Sequence, residues 1–84
     1  MIYQIHNFNS LQLHQKAMFT DRNATFLVNL VDSDLIYSLY AYGSIYIEVV
    51  IHSTTKRLLD IIAFSEWDRL DKYFEHITLG DLFN

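Results

Sequence analysis

The stretch Ile36–His52, IYSLYAYGSIYIEVVIH, decides the fold of this 84-residue chain. β-branched and aromatic residues, which favour strands, fill most of it, and Gly43 interrupts it near the middle. Two such runs joined by a short turn predict an antiparallel hairpin, with strands over Leu35–Ala41 and Ser44–His52. A sheet with one solvated face alternates apolar and polar residues, but here both sets of alternating positions are largely apolar. Both faces of this sheet are therefore expected to be covered.

Two further strands extend the hairpin on either side. Thr25–Val31 is short and rich in strand-forming residues, and Asp32-Ser33-Asp34 behind it has the chemistry of a turn. A helix through Thr25–Val31 is an alternative, because several of its apolar residues have helical spacing. The turn that follows favours the strand. Ser53–Lys56 predicts a third turn and Arg57–Phe64 a fourth strand, which completes an antiparallel meander.

Helical patterns flank the four strands. A cap at Asn9 or Ser10 predicts a helix from about Ser10 to Arg22, and residues 1–8 before it are assigned to a short strand or an irregular lead-in. After Ser65, an apolar stripe recurs at intervals of three and four: Trp67, Leu70, Phe74 and Ile77. Trp67 is expected to dock against the sheet. The prediction is a single α+β domain over residues 1–84, ordered α-β-β-β-β-α, with both helices packed on one sheet face.

Turn lengths assign residues to the two faces of the sheet. A three-residue turn at Asp32–Asp34 and a two-residue turn near Gly43 are assumed. One face is then almost wholly apolar and suits the helices: Phe26, Val28, Leu30, Ile36, Ser38, Tyr40, Tyr42, Ile45, Ile47, Val49 and Ile51. On the last strand, Leu59, Ile61 and Ala63 are preferred for this face, because the alternative set Leu58, Asp60, Ile62 and Phe64 would bury Asp60.

The other face is mixed, and it supports a functional hypothesis. Contiguous exposed apolar patches are uncommon on monomers, and tyrosine is favoured at interfaces. We therefore expect a second copy, or another protein, to cover this face. The candidate interface residues are Tyr37, Leu39, Tyr46, Glu48 and Val50. The expected function is non-enzymatic binding as a homodimer, in which Glu48 must meet a tyrosine hydroxyl, a water or the rim.

Two other functions stay open. One is a small-ligand pocket between the sheet and the helices, with Glu48 or tyrosine side chains as polar anchors. The other is an acidic inhibitor or immunity-type protein for a basic partner, because the net charge is −4 and the last helix has an acidic face: Asp68, Asp71 and Glu75.

The sequence motifs support neither a catalytic site nor a metal site. Glu48 and His52 lie on one strand but roughly 13 Å apart, too far for an acid–base pair in contact. The four histidines are dispersed without metal-ligand spacing. Asp32-Ser33-Asp34 resembles a metal–nucleotide pattern, but its turn chemistry is preferred. No catalytic residue, metal or cofactor is therefore expected.

Composition narrows the partners and the compartment. The six lysines and arginines are scattered, so no nucleic-acid partner is expected. Apolar runs are too short for a transmembrane helix, and the N-terminus lacks the pattern of a signal peptide. The absence of cysteine fits a reducing compartment. A cytoplasmic location with no membrane association is therefore expected.

Overall fold

The computed structural model describes residues 2–65 and 69–75. Its elements follow one another in this order: α1 Ile2–Asn9, α2 Leu13–Asn23, β1 Thr25–Asp32, β2 Leu35–Tyr42, β3 Ile45–His52, β4 Leu58–Phe64 and α3 Asp71–Glu75. The strands form one antiparallel sheet in the order β1-β2-β3-β4. The predicted α+β meander is confirmed, including the strand at Thr25. No helix in these ranges is long and apolar enough to cross a membrane.

The N-terminal segment differs from the expectation, because residues 2–9 are helical rather than a strand or a lead-in. Ser10 does not begin the following helix but lies at the end of α1. Its hydroxyl donates to the carbonyl oxygens of His6 and Asn7 at 2.9 and 3.0 Å. The N–H of Gln12 donates to the Gln15 side chain at 3.0 Å, just before α2 begins. A serine hydroxyl can accept from N–H groups at the start of a helix or donate to C=O groups at its end. The residue type alone therefore did not show which helix terminus Ser10 occupies.

The hairpin between β2 and β3 has the predicted register. Tyr42 pairs with Ile45, which leaves Gly43 and Ser44 as a two-residue turn. The φ angle of Gly43 is 58°, in the left-handed region that two-residue hairpin turns require. The predicted face of Ile45, Ile47, Val49 and Ile51 therefore stands, together with alternate residues of β2.

The first hairpin is offset by one residue from the expectation. Asp32 pairs with Leu35, so the turn has two residues rather than three, and Ser33 takes a φ of 55°. A one-residue change moves side chains to the other face, and Val28 and Leu30 consequently lie on the mixed face. A bulge at Leu27 adds one residue, so Phe26 returns to its predicted face and pairs with Tyr40. Between the turn and the bulge, the one-residue offset places Asn29 and Val31 on the apolar face.

The last strand presents the preferred residues to the apolar face, with one exception. Ile61 and Ala63 pair with Val49 and Ile47 and are buried. A second bulge at Leu59 separates the Asp60–Val50 pair from the Leu58–Ile51 pair. Leu58 packs against the core as a result, whereas Leu59 is exposed.

Helices cover both faces of the sheet rather than sharing one. Phe8 of α1 is buried with residues of the apolar face, and Ala17 and Phe19 of α2 pack against them. On the mixed face, Leu70 and Tyr73 are buried together with Leu30, Leu39 and Phe64. The reason is that both faces expose apolar side chains, so each gains from a cover. The predicted docking of Trp67 lies outside the described residues.

Candidate functional site

The outer edge of β4 is hydrogen-bonded by side chains of the same chain. The side-chain amide of Asn9 donates to the carbonyl of Ala63 at 3.0 Å and accepts from its N–H at 2.8 Å. Lys16 Nζ donates to the carbonyl of Ile61 at 2.9 Å, and Asp60 Oδ1 accepts from the N–H of Ile61 at 2.9 Å. All four outward backbone groups of Ile61 and Ala63 are therefore occupied. A further strand cannot pair there without displacing these side chains.

The outer edge of β1 is open. Asp32 and Leu35 close a two-residue turn, and antiparallel alternation then directs the backbone N–H and C=O groups of Asn29 and Val31 away from β2. Among residues 2–65 and 69–75, no side chain and no turn backbone bonds to those groups. Six of the eight residues of β1 are exposed. This edge therefore offers unpaired donors and acceptors.

Large apolar side chains accompany the open backbone. Val31 is 63% exposed, Phe26 51% and Leu27 47%. The ring of Phe26 is held edge-to-face on Tyr40, with centroids 5.6 Å apart. Apart from the bulge at Leu27, β1 has few of the devices that prevent an edge strand from pairing with another chain: it contains no lysine or proline, and its one charged residue, Asp32, lies at its end.

The mixed face is covered at its centre by α3. Glu48 is only 2% exposed, and its Oε2 accepts a hydrogen bond of 2.8 Å from the hydroxyl of Tyr73. The same oxygen lies 2.8 Å from Lys72 Nζ. That ammonium group in turn lies 3.5 Å from the ring centroid of Tyr37, within the range of a cation–π contact. The glutamate in the middle of the sheet is thus satisfied by its own chain.

The chemistry of this cluster suits attachment of α3 to the sheet. Burial raises the pKa of Tyr73 well above its usual value, and the hydrogen bond and negative charge of Glu48 raise it further. The hydroxyl therefore stays protonated near neutral pH and continues to donate. The sequence left three alternatives open for Glu48, a tyrosine hydroxyl, a water or the rim of a dimer, and it did not point to Tyr73 and Lys72 as the partners. The one available signal was that a carboxylate in a mid-strand position needs a donor.

All five predicted interface residues lie on the mixed face, as the register implied. Leu39 and Glu48 are buried, and Tyr37, Tyr46 and Val50 are partly buried. Tyr46 stacks on Phe64 with centroids 5.8 Å apart. These contacts come from the chain itself, and a dimer through this face stays a prediction.

The structure does not assemble a metal site or an acid–base pair in its described part. Within residues 2–65 and 69–75, no three His, Cys, Asp or Glu side chains lie close enough to hold a metal ion. His52 is occupied locally, since its Nδ1 accepts from the N–H groups of Thr54 and Thr55 at 3.3 Å each. Glu48 bonds to Tyr73 and Lys72 instead.

Comparisons of this chain with protein-family models, with curated proteins and with solved structures find no match. The function is therefore inferred from the geometry of the sheet edges and of the surfaces beside them.

Proposed function

We propose that this domain is a non-enzymatic protein-interaction module that acts as a homodimer, joined through the open edge of β1. The observation that carries the proposal is the contrast between the two sheet edges. Four side-chain hydrogen bonds occupy the outer edge of β4, whereas nothing in the described residues occupies that of β1. An unpaired strand edge selects an extended backbone as its partner.

A second copy supplies such a backbone in its own β1. Two β1 strands related by a twofold axis pair in antiparallel orientation and extend the sheet from four strands to eight. Asp32 is the only charged residue of β1 and lies at its end. Antiparallel pairing keeps the two Asp32 carboxylates at opposite ends of the joint strand pair, so their repulsion is small.

The size of this contact implies a modest affinity. One pair of eight-residue strands, with Phe26, Leu27 and Val31 beside it, buries on the order of 1,000 Å² of total surface. Contacts of that size belong to the transient class. We therefore expect a monomer–dimer equilibrium in the micromolar range. A partner protein with its own extended segment would compete with the second copy for the edge of β1.

Sedimentation equilibrium with two matched lysine variants tests the edge. Leu27 and Leu59 are the extra residues of the two bulges and are 47% and 46% exposed. Leu27→Lys places a charge on the open edge and should weaken the dimer by about tenfold or more, which corresponds to about 1.4 kcal/mol. Leu59→Lys places the same charge on the occupied edge and should leave the dimer unchanged.

A third variant separates the edge from the mixed face. Tyr46→Lys should not change the mass if the dimer forms through β1. A monomer with Tyr46→Lys and a dimer with Leu27→Lys would transfer the interface to the mixed face of Tyr37, Leu39, Tyr46, Glu48 and Val50. A wild-type chain that stays monomeric at high micromolar concentration, or equal weakening by both leucine variants, would contradict the proposal.

A further inference from the structure

A groove of about 300 Å³ lies where α1 and α2 meet the β2–β3 turn. Its volume is at the lower end of the range of about 300–1,000 Å³ that is typical of small-molecule sites. None of its lining residues belongs to β1, and Glu48 does not line it. The groove is therefore separate from the proposed dimer edge and from the cluster around Glu48.

The walls of the groove are apolar and preformed. Phe8 and Ile45 are buried in the core at 6% and 3% exposure, which fixes the floor. The ring of Phe19 meets that of Phe8 at 5.7 Å and that of Tyr42 at 5.0 Å, both edge-to-face. Phe19 is thus held between two other rings, which restricts its rotation. Ligand binding in the groove consequently costs little side-chain conformational entropy.

Two side-chain amides supply polarity without charge. Gln4 and Asn7 lie three residues apart on α1, so they face the same side of the helix, and both line the groove. Neither side chain makes a hydrogen bond within the described residues, so each has a donor and an acceptor available. Among the residues that the structure describes, no charged side chain lines the groove. An ionised ligand would lose hydration there without gaining a counter-charge.

We infer that this groove binds a small neutral molecule with a flat, mainly apolar ring and one hydrogen-bonding group. The ring packs on the Phe19 and Tyr42 edges, and its polar group meets the amide of Gln4 or Asn7. Leu11 and Tyr42 are 39% and 37% exposed, and both line the groove, so they form its mouth.

Titration with indole, followed by amide chemical shifts, tests this assignment. Indole is flat and neutral and carries one N–H donor. Saturable shifts should cluster at Asn7, Phe8, Phe19 and Ile45. Indole-3-carboxylate, which adds a negative charge to nearly the same ring, should bind at least tenfold more weakly. The titration is run on Leu27→Lys as well as on wild type, so that loss of the dimer cannot imitate loss of the groove.

A matched pair of variants locates the binding. Leu11 and Leu13 are similarly exposed, at 39% and 37%, but only Leu11 lines the groove. Leu11→Trp should fill the groove and weaken indole binding at least tenfold, whereas Leu13→Trp should bind as wild type does. Asn7→Leu removes one polar partner of the indole N–H without adding bulk or charge and should also weaken indole binding, which gives a second test that does not depend on the folding of Leu11→Trp. Shifts that do not saturate, shifts spread over the sheet, or equal binding by both tryptophan variants would overturn the inference.

Discussion

The two edge strands, β1 and β4, have similar lengths and irregularities but differ in how the rest of the chain packs on them. β1 has eight residues and β4 has seven, each contains one bulge, and each exposes a leucine at that bulge. Yet β4 buries Ile61, Ala63 and Phe64, whereas β1 buries only Leu30. The difference lies outside the strands, because α1 and α2 both pack over β4.

The helices α1 and α2 protect both the side chains and the backbone of the edge strand β4. Phe8 and Ala17 pack on the apolar side chains near β4, and Asn9 and Lys16 from the same helices bond to its outward backbone groups. Within the described residues, neither helix donates or accepts a hydrogen bond at the outward backbone groups of Asn29 and Val31 in β1. The open edge therefore follows from where the helices pack and not from strand composition.

The largest expected contrast concerns stability. Ile61→Ala on the occupied edge should lower the free energy of unfolding by about 2–5 kcal/mol, because the side chain is only 1% exposed and leaves a cavity. Val31→Ala on the open edge should change it by less than about 0.5 kcal/mol, because Val31 is 63% exposed. Urea unfolding at low protein concentration measures both. Similar losses for the two variants would mean that the edges are equally packed.

A smaller effect is expected from uncovering the backbone of β4. Asn9→Ala leaves the N–H and the C=O of Ala63 without their partners and should cost about 1–3 kcal/mol. It should also create a second open edge, so sedimentation should detect species larger than those of wild type. Asn23→Ala is the control, since in the described part of the chain the Asn23 amide bonds to the Phe19 carbonyl within α2 and to no other group. If Asn9→Ala stays at the wild-type mass, the Asn9 amide does not protect the edge.

Lys16→Met should have a weaker effect of the same kind. The methionine keeps the apolar part of the side chain but removes the bond to the Ile61 carbonyl, so a loss of about 0.5–1.5 kcal/mol in urea unfolding is expected. Because one group is uncovered rather than two, the loss should be smaller than for Asn9→Ala. A larger loss for Lys16→Met would reverse the order of importance proposed for this edge.

The smallest expected effect involves neither edge strand and is absent at neutral pH. It is the dependence of stability on the protonation of Tyr73 at alkaline pH. The pKa of Tyr73 is raised in the folded chain, above a value of about 10 in the unfolded chain. Above about pH 10 the unfolded chain releases this proton while the folded chain keeps it, so stability falls as the pH rises further. Melting temperatures between about pH 9 and 12 should therefore decline less steeply for Tyr73→Phe than for wild type.

Local patterns predicted the central hairpin correctly for a physical reason. The turn at Gly43 needs a positive φ, which glycine adopts without strain, and a two-residue turn leaves one register for Tyr42 and Ile45. The same reasoning did not resolve the first turn, because Ser33 adopts a positive φ that its residue type does not announce. It did not detect the bulges at Leu27 and Leu59 either, since a bulge is an insertion relative to a partner strand.

By itself, the sequence determined the four-stranded antiparallel meander, the placement of Ile45, Ile47, Ile61 and Ala63 on one apolar face, and the presence of apolar residues on the other. These follow from residue-by-residue alternation and turn chemistry, which are local. Only the tertiary structure decided which helix covers which face and which edge stays open. Asn9 reaches Ala63 across 54 positions of the chain, and Tyr73 reaches Glu48 across 25. Such contacts depend on the path of the folded backbone, and no periodicity in the sequence encodes that path.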